Sequence, residues 1–111
     1  MISTHVLDTS LGRPAAGVRV ILEYEDEGNW HRLADQVTDT DGRAPNLLPD
    51  DGPRRTGQHR LTFDVATYFA SRGKETFYPT ITIVFQVRSP GEHHHVPLLL
   101  SPFGYSTYRG S

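Results

Sequence analysis

Short runs of alternating apolar and polar residues, separated by clusters of Gly, Pro and Asp, constrain the fold of this sequence more than any other feature. Successive side chains of a strand point to opposite faces, so such alternation indicates strands with one buried face. Many short strands between turn residues are typical of an all-β sandwich or barrel of antiparallel strands. About eight runs predict strands, at Ser3–Thr9, Val18–Glu25, His31–Thr38, Arg43–Leu47, Gln58–Val65, Pro79–Arg88, His93–Leu100 and Tyr105–Gly110.

One segment departs from the strand pattern and predicts the only helix. Ala66–Arg72 lies between Asp64 and Gly73. An Asp side chain accepts backbone N–H bonds at a helix start, and Gly provides the left-handed exit at a helix end. We therefore expect one short helix in an otherwise all-β chain.

Length and composition favour a single domain over residues 1–111. The chain has 36% hydrophobic and 22% charged residues and a net charge of −2, without a block of like charge that favours nucleic acid or a membrane surface. There is no cysteine and therefore no disulfide framework. The N-terminus lacks the pattern of a signal peptide and no apolar run approaches ~18 residues, which predicts a cytoplasmic protein.

A mixed face on the strand His93–Leu100 predicts a functional site. Its core face carries only aliphatic residues, whereas the opposite face carries His95, Pro97 and Leu99. The first strand places His5 by the same alternation, and the last strand places Tyr108. If the three strands are neighbours in one sheet, the two histidines and the tyrosine share this face, and another surface is expected to cover it.

Four separated segments resemble the hydrolase branch of the transthyretin family. The segment from Leu100 through Thr107 is shared with transthyretin, the hormone carrier, while the Tyr-Arg-Gly-Ser ending and the two histidines are similar to the enzyme branch. One departure is His94, because that position is usually aromatic in the family. The four segments are Ser3-Thr4-His5-Val6-Leu7-Asp8, Thr40-Asp41-Gly42-Arg43, His95-Val96-Pro97-Leu98-Leu99-Leu100-Ser101-Pro102 and Tyr105-Ser106-Thr107-Tyr108-Arg109-Gly110-Ser111.

The resemblance implies a fold, an assembly and an activity. The fold is an eight-stranded antiparallel β-sandwich with one short helix, assembled as a homotetramer with active sites between its two dimers. Carried over residue by residue, His5, Arg43 and His95 are catalytic, and His5, Arg43, Tyr108 and Ser111 bind the substrate. That substrate is 5-hydroxyisourate, a planar heterocycle from urate oxidation, and the reaction opens its ring with water. The resemblance implies no cofactor and no metal.

The implied chemistry suits these residue types. Imidazole, with an unperturbed pKa near ~6.5, accepts a proton from water at neutral pH. Arginine is always charged and planar, so Arg43 suits an anionic heterocycle and the oxyanion that forms when water attacks a ring carbonyl. Which of the two histidines is the base stays open.

Four other interpretations stay open. The run His93-His94-His95 is compatible with adventitious zinc binding, although alternation turns His94 away from the other two. If the resemblance is set aside, the position of Arg43 next to a turn indicates a solvated surface residue. Two hypotheses are alternatives to an enzyme. The first is a transthyretin-like carrier of small aromatic ligands, and the second is an interaction module without a small-molecule site.

Overall fold

A computed structural model describes residues 1–53 and 55–111, and in them nine strands and one helix form. The elements are β1 (Ile2–Asp8), β2 (Arg13–Pro14), β3 (Arg19–Asp26), β4 (Asn29–Val37), β5 (Arg43–Leu48), β6 (Gly57–Asp64), α1 (Val65–Ala70), β7 (Thr80–Val87), β8 (His94–Ser101) and β9 (Gly104–Thr107).

The strands form two sheets that pack face to face. The first sheet has the order β2-β1-β8-β9, and β5 also pairs with β1; the second has the order β4-β3-β6-β7. All pairings are antiparallel except that of β1 with β8, which is parallel. This architecture confirms the predicted β-sandwich with one short helix.

The eight predicted strands all form, with small differences at their ends. The two-residue β2 is additional. The last strand ends at Thr107 rather than at Gly110. Beyond it, an isolated β-bridge pairs Gly110 with His95. The Gly110 N–H donates to the His95 carbonyl at 2.8 Å, so this terminal segment is attached to the sheet as predicted.

The core lies between the two sheets, where the alternation placed it. Leu61, Phe63, Leu98 and Leu100 are fully buried. Each such large apolar side chain contributes roughly 1.5–3 kcal/mol of burial free energy. The aliphatic face of β8 is therefore held inward, and its other face is directed outward.

The helix joins the two sheets through a buried polar contact. Asp64 caps α1 and accepts the Thr67 N–H at 3.2 Å, as predicted. The Tyr68 hydroxyl donates to Asp8 Oδ2 of β1 at 2.8 Å, and burial together with this bond raises the pKa of Tyr68 to about 12. Among the described residues, no helix is long and apolar enough to cross a membrane.

Two histidines are buried at one end of the sandwich. His59 of β6 and His94 of β8 are 1% and 6% exposed, and each ring donates from Nδ1 to a backbone carbonyl two residues before it. Burial lowers the pKa of His59, and the charges of His94 and Arg55 lower it further, against the bond to Gly57. Burial also lowers the pKa of His94. Both rings are therefore held neutral in the folded protein.

The stability of the fold should fall as the pH decreases below neutrality. A histidine with a lowered pKa stabilises the fold fully above the unfolded value of ~6.5, and this stabilisation is lost as the pH falls towards the folded pKa. His59→Gln should therefore flatten part of the decline in unfolding free energy between about pH 7 and pH 5. Urea unfolding across that range measures the slope, and the exposed His31→Gln is the control. Equal slopes for His59→Gln and the wild-type protein would contradict the prediction.

Candidate active site

The register of the first sheet brings the predicted catalytic residues together on its outer face. In the parallel pair, Ser3 lies opposite His95 and His5 opposite Pro97. On the other side of β1, His5 lies opposite Arg43. Three adjacent strands thus present His95, His5 and Arg43 on one surface, as the alternation of each strand requires.

A turn held by the side chain of Asp39 places Arg43 at the start of β5. Asp39 Oδ1 accepts the N–H groups of Asp41 and Arg43 at 2.9 and 3.0 Å. Gly42 has a φ of +73°, and a Cβ there would lie 2.4 Å from the carbonyl oxygen of Val6, so only glycine fits. Among the described residues, no carboxylate forms a salt bridge with Arg43. Its guanidinium is therefore available to an anion.

His95 is held by the segment that follows β9. The bridge between Gly110 and His95 brings the two backbones together, and a Cβ on Gly110 would lie 2.6 Å from His95 Cδ2. The absence of a side chain at Gly110 therefore allows the ring to occupy its position. Ser111 follows directly and lines the same groove as His95.

Two grooves of about 360 Å³ each meet at His95. The polar groove contains most of the predicted site; its lining includes Ser3, Arg43, His93, His95 and Ser111. The edge groove lies between β7 and the strands β8 and β9, and its lining combines apolar residues such as Ile83 and Phe85 with Tyr108 and two arginines, Arg88 and Arg109. The polar groove is the better candidate for hydrolysis because it holds three of the five predicted site residues, Arg43, His95 and Ser111.

Two of the five predicted site residues lie apart from the polar groove lining. Tyr108 lines the edge groove instead and is 58% exposed, because β9 ends one residue before it and its alternation is not continued. His5 lines neither groove, although it neighbours Arg43 in the sheet. The structure thus brings Arg43, His95 and Ser111 together directly, with His5 beside them.

The electrostatics of the site keep the His95 imidazole neutral. Burial lowers the pKa of His95, and the nearby charges of His93, Arg43 and His5 lower it further. A neutral imidazole is the form that accepts a proton. His95 is therefore in the protonation state of a general base at neutral pH.

Sequence reasoning missed one polar partner of His95, the hydroxyl of Ser3. Ser3 Oγ lies 2.8 Å from His95 Nδ1 and 2.9 Å from His93 Nε2, so one hydroxyl bridges two imidazoles. Their alternation on the strand placed both histidines on one face, but Ser3 is identified only by the parallel register. No group of three or more metal-ligating side chains suited to a metal ion occurs in the described part of the chain.

Comparison with known proteins identifies the family. The sequence model of the HIUase/Transthyretin family matches residues 2–110. The chain belongs to the HIUase/Transthyretin family. Within that family, it is 44% identical to the 5-hydroxyisourate hydrolase of Salmonella dublin over 111 residues, which are 100% of this chain and 81% of the relative.

Solved structures of both branches of the family resemble this fold. The 5-hydroxyisourate hydrolase of Klebsiella pneumoniae has a TM-score of 0.86 and 39% identity, over 99% of this chain and 97% of that one. Transthyretin from Sparus aurata has a TM-score of 0.90 and 30% identity, over 98% and 95%. The fold is therefore common to both branches, whereas sequence identity is higher to the hydrolase.

The close contact of Gly110 with His95 leads to a test of the site geometry. Gly110→Ala should displace the His95 ring and lower activity by about 10-fold or more, because a misplacement of the order of 1 Å is costly in catalysis. Gly104→Ala is the matched control, since its Cβ would lie 3.7 Å from Ser101 Oγ, an ordinary van der Waals contact. A crystal structure and an activity assay of both variants provide the measurement. Full activity of Gly110→Ala would show that the ring position is not critical.

Proposed function

We propose that this protein hydrolyses 5-hydroxyisourate, opening its six-membered ring to give 2-oxo-4-hydroxy-4-carboxy-5-ureidoimidazoline in urate degradation. The observation that carries the proposal is that three residues, His5, Arg43 and His95, lie together on one face of the first sheet. The His95 imidazole is neutral there, and Arg43 forms no salt bridge with any of the described carboxylates. Membership of the family and the 44% identity to a hydrolase support the same assignment.

The proposed reaction is the attack of water on a ring carbonyl. A histidine takes a proton from the water, the water oxygen bonds to the carbonyl carbon, and the C–N bond of the cyclic amide breaks. Arg43 binds the anionic heterocycle and stabilises the negative charge that forms on the carbonyl oxygen. Ser111 lines the groove beside them, and Tyr108 contacts substrate from the edge groove in this proposal.

The alternative is a carrier of small aromatic ligands, because the fold of transthyretin is closely similar. A carrier does not require a neutral imidazole close to a guanidinium that has no salt-bridge partner among the described carboxylates. Tight binding of a thyroxine-like aromatic ligand without turnover of 5-hydroxyisourate would favour the carrier.

Substitution of the three catalytic candidates tests the proposal. His5→Ala, Arg43→Ala and His95→Ala should each lower turnover by at least about 10²-fold, because a positioned base or an oxyanion-stabilising cation contributes on that order. The assay adds protein to freshly generated 5-hydroxyisourate and follows the loss of its ultraviolet absorbance. Circular dichroism confirms that each variant is folded. A folded His95→Ala variant with near-wild-type turnover would refute the assignment.

A homotetramer, arranged as a dimer of dimers with active sites between the dimers, is the second part of the proposal. Leu7 and Leu99 lie opposite each other on the outer face of the first sheet, partly exposed, on the same side as His5 and His95. A partner subunit that covers this face would bury the leucines and enclose the groove. Exclusion of water would strengthen the interaction of Arg43 with an anion.

A charge on the apolar part of this face should separate the subunits. Leu99→Glu would place like charges near one another across a two-fold axis, so we expect loss of the tetramer and at least about 10-fold lower turnover. Light scattering gives the mass, and the absorbance assay gives the activity. Leu11→Glu, at a 48% exposed position outside the strands, is the control. A fully active monomer or dimer of Leu99→Glu would mean that each subunit holds a complete site.

Two expectations from the sequence remain predictions within this proposal. The first is a reaction that uses no metal and no cofactor, with zinc on the His93-His94-His95 run at most adventitious. The second is a cytoplasmic location.

A further inference from the structure

A buried hydroxyl joins two imidazoles at the edge of the polar groove. Ser3 is only 5% exposed, and its Oγ lies within hydrogen-bond distance of His95 Nδ1 and His93 Nε2. The hydroxyl has one proton to donate and two lone pairs to accept with, so at least one ring must donate to it and at most one can accept from it. When one ring donates and the other accepts, the protonation states of the two rings are coupled through Ser3.

The requirement for a general base determines the direction of this coupling. If His95 takes a proton from water at Nε2, that nitrogen must carry a lone pair, and the neutral ring holds its proton on Nδ1. Nδ1–H then donates to Ser3 Oγ, and Ser3 O–H donates to His93 Nε2. The neutral His93 ring accordingly carries its own proton on Nδ1.

We propose that the Ser3 hydroxyl relays a proton from His95 to His93 during ring opening, an inference that rests on the proposed hydrolysis. The proton of the attacking water passes to His95 Nε2 as its oxygen bonds to the carbonyl carbon. The Nδ1 proton of His95 moves to Ser3 Oγ, and the Ser3 hydroxyl proton moves to His93 Nε2. When the C–N bond breaks, His95 Nε2–H protonates the leaving nitrogen and the relay reverses, so the protein returns to its initial state.

The surroundings of the two rings give the relay a physical reason. His95 is half-buried and faces Arg43 of β5 and His5 of β1, so a positive charge on its ring is unfavourable. His93 is exposed, so water solvates a positive charge there. The two ring centroids are 6.1 Å apart, with Ser3 Oγ bonded to both. Transfer to His93 therefore moves the charge from a half-buried ring beside Arg43 and His5 to an exposed ring of the same groove, where water solvates it.

Three variants separate a proton relay from a merely structural contact. His93→Gln retains a side chain that bonds to Ser3 but cannot hold the proton, and Ser3→Ala removes the hydroxyl. Both should lower kcat by about 10-fold, less than the loss of His95 itself, with KM nearly unchanged. Ser3→Thr keeps the hydroxyl and should recover most of the activity. The exposed His31→Gln is the control for loss of a histidine elsewhere.

Kinetics in mixtures of H₂O and D₂O provide the deciding readout. A plot of the wild-type rate against the deuterium fraction of the solvent should be curved, because more than one proton moves in the transition state. The same plot for His93→Gln should be a straight line. A structural contact alone would not change the shape of this dependence. His93→Gln with wild-type kcat and a curved dependence would overturn the relay while leaving the hydrolase activity intact.

Nitrogen-15 NMR of the imidazoles tests the relay without substrate. When both rings are neutral, His93 and His95 should each carry the proton on Nδ1. A proton on His95 Nε2 in the wild-type protein would overturn the relay. If the Nδ1 forms are observed and 5-hydroxyisourate is not turned over, the coupled pair stands and the proposed function fails.

Discussion

The parallel pairing of β1 with β8 is the constraint on which the site depends. It places Ser3 beside His95 and His5 beside Pro97, and a shift of one residue would turn every side chain of β1 to the opposite face. The alternate residues of β1 prevent such a shift, because Val6 is fully buried between the sheets. The register that fills the core is therefore the same register that assembles the outer face.

The remaining parts of the site are added by backbone contacts to these two central strands. The Gly42 carbonyl accepts the Val6 N–H at 2.7 Å, which fixes the turn that precedes Arg43. On the other side, the Gly110 N–H bonds to the His95 carbonyl and brings Ser111 to the groove. Both contacts require glycine, since a Cβ would lie 2.4 Å from a carbonyl oxygen at the first and 2.6 Å from the imidazole at the second.

The sequence predicted the strands well because their alternation reflects burial directly, but it predicted antiparallel pairing throughout, whereas β1 and β8 are parallel. Alternation is the same in parallel and antiparallel pairs, so the parallel pair β1–β8 had no local signal. The unpredicted pairing of β1 with β8 also explains why Ser3 was overlooked. Its contact with His95 joins two neighbouring strands that are about 90 residues apart in the chain. Tyr108 was placed by extending the alternation of β9 beyond Thr107, where the pairing with β8 is interrupted.

The outer face of the first sheet concentrates cationic and imidazole groups although the chain carries a net charge of −2. His5, His93 and Arg43 all disfavour a positive charge on His95, so the arrangement that attracts an anion also keeps the base neutral. In water, a pair of unit charges 4 Å apart gains about 1 kcal/mol, and near a partly desolvated protein surface it gains about 4 kcal/mol. A subunit covering this face would therefore strengthen both effects together. In the proposed tetramer, assembly is for this reason part of the chemistry of the site, because substrate attraction and the neutrality of His95 both depend on the same exclusion of water.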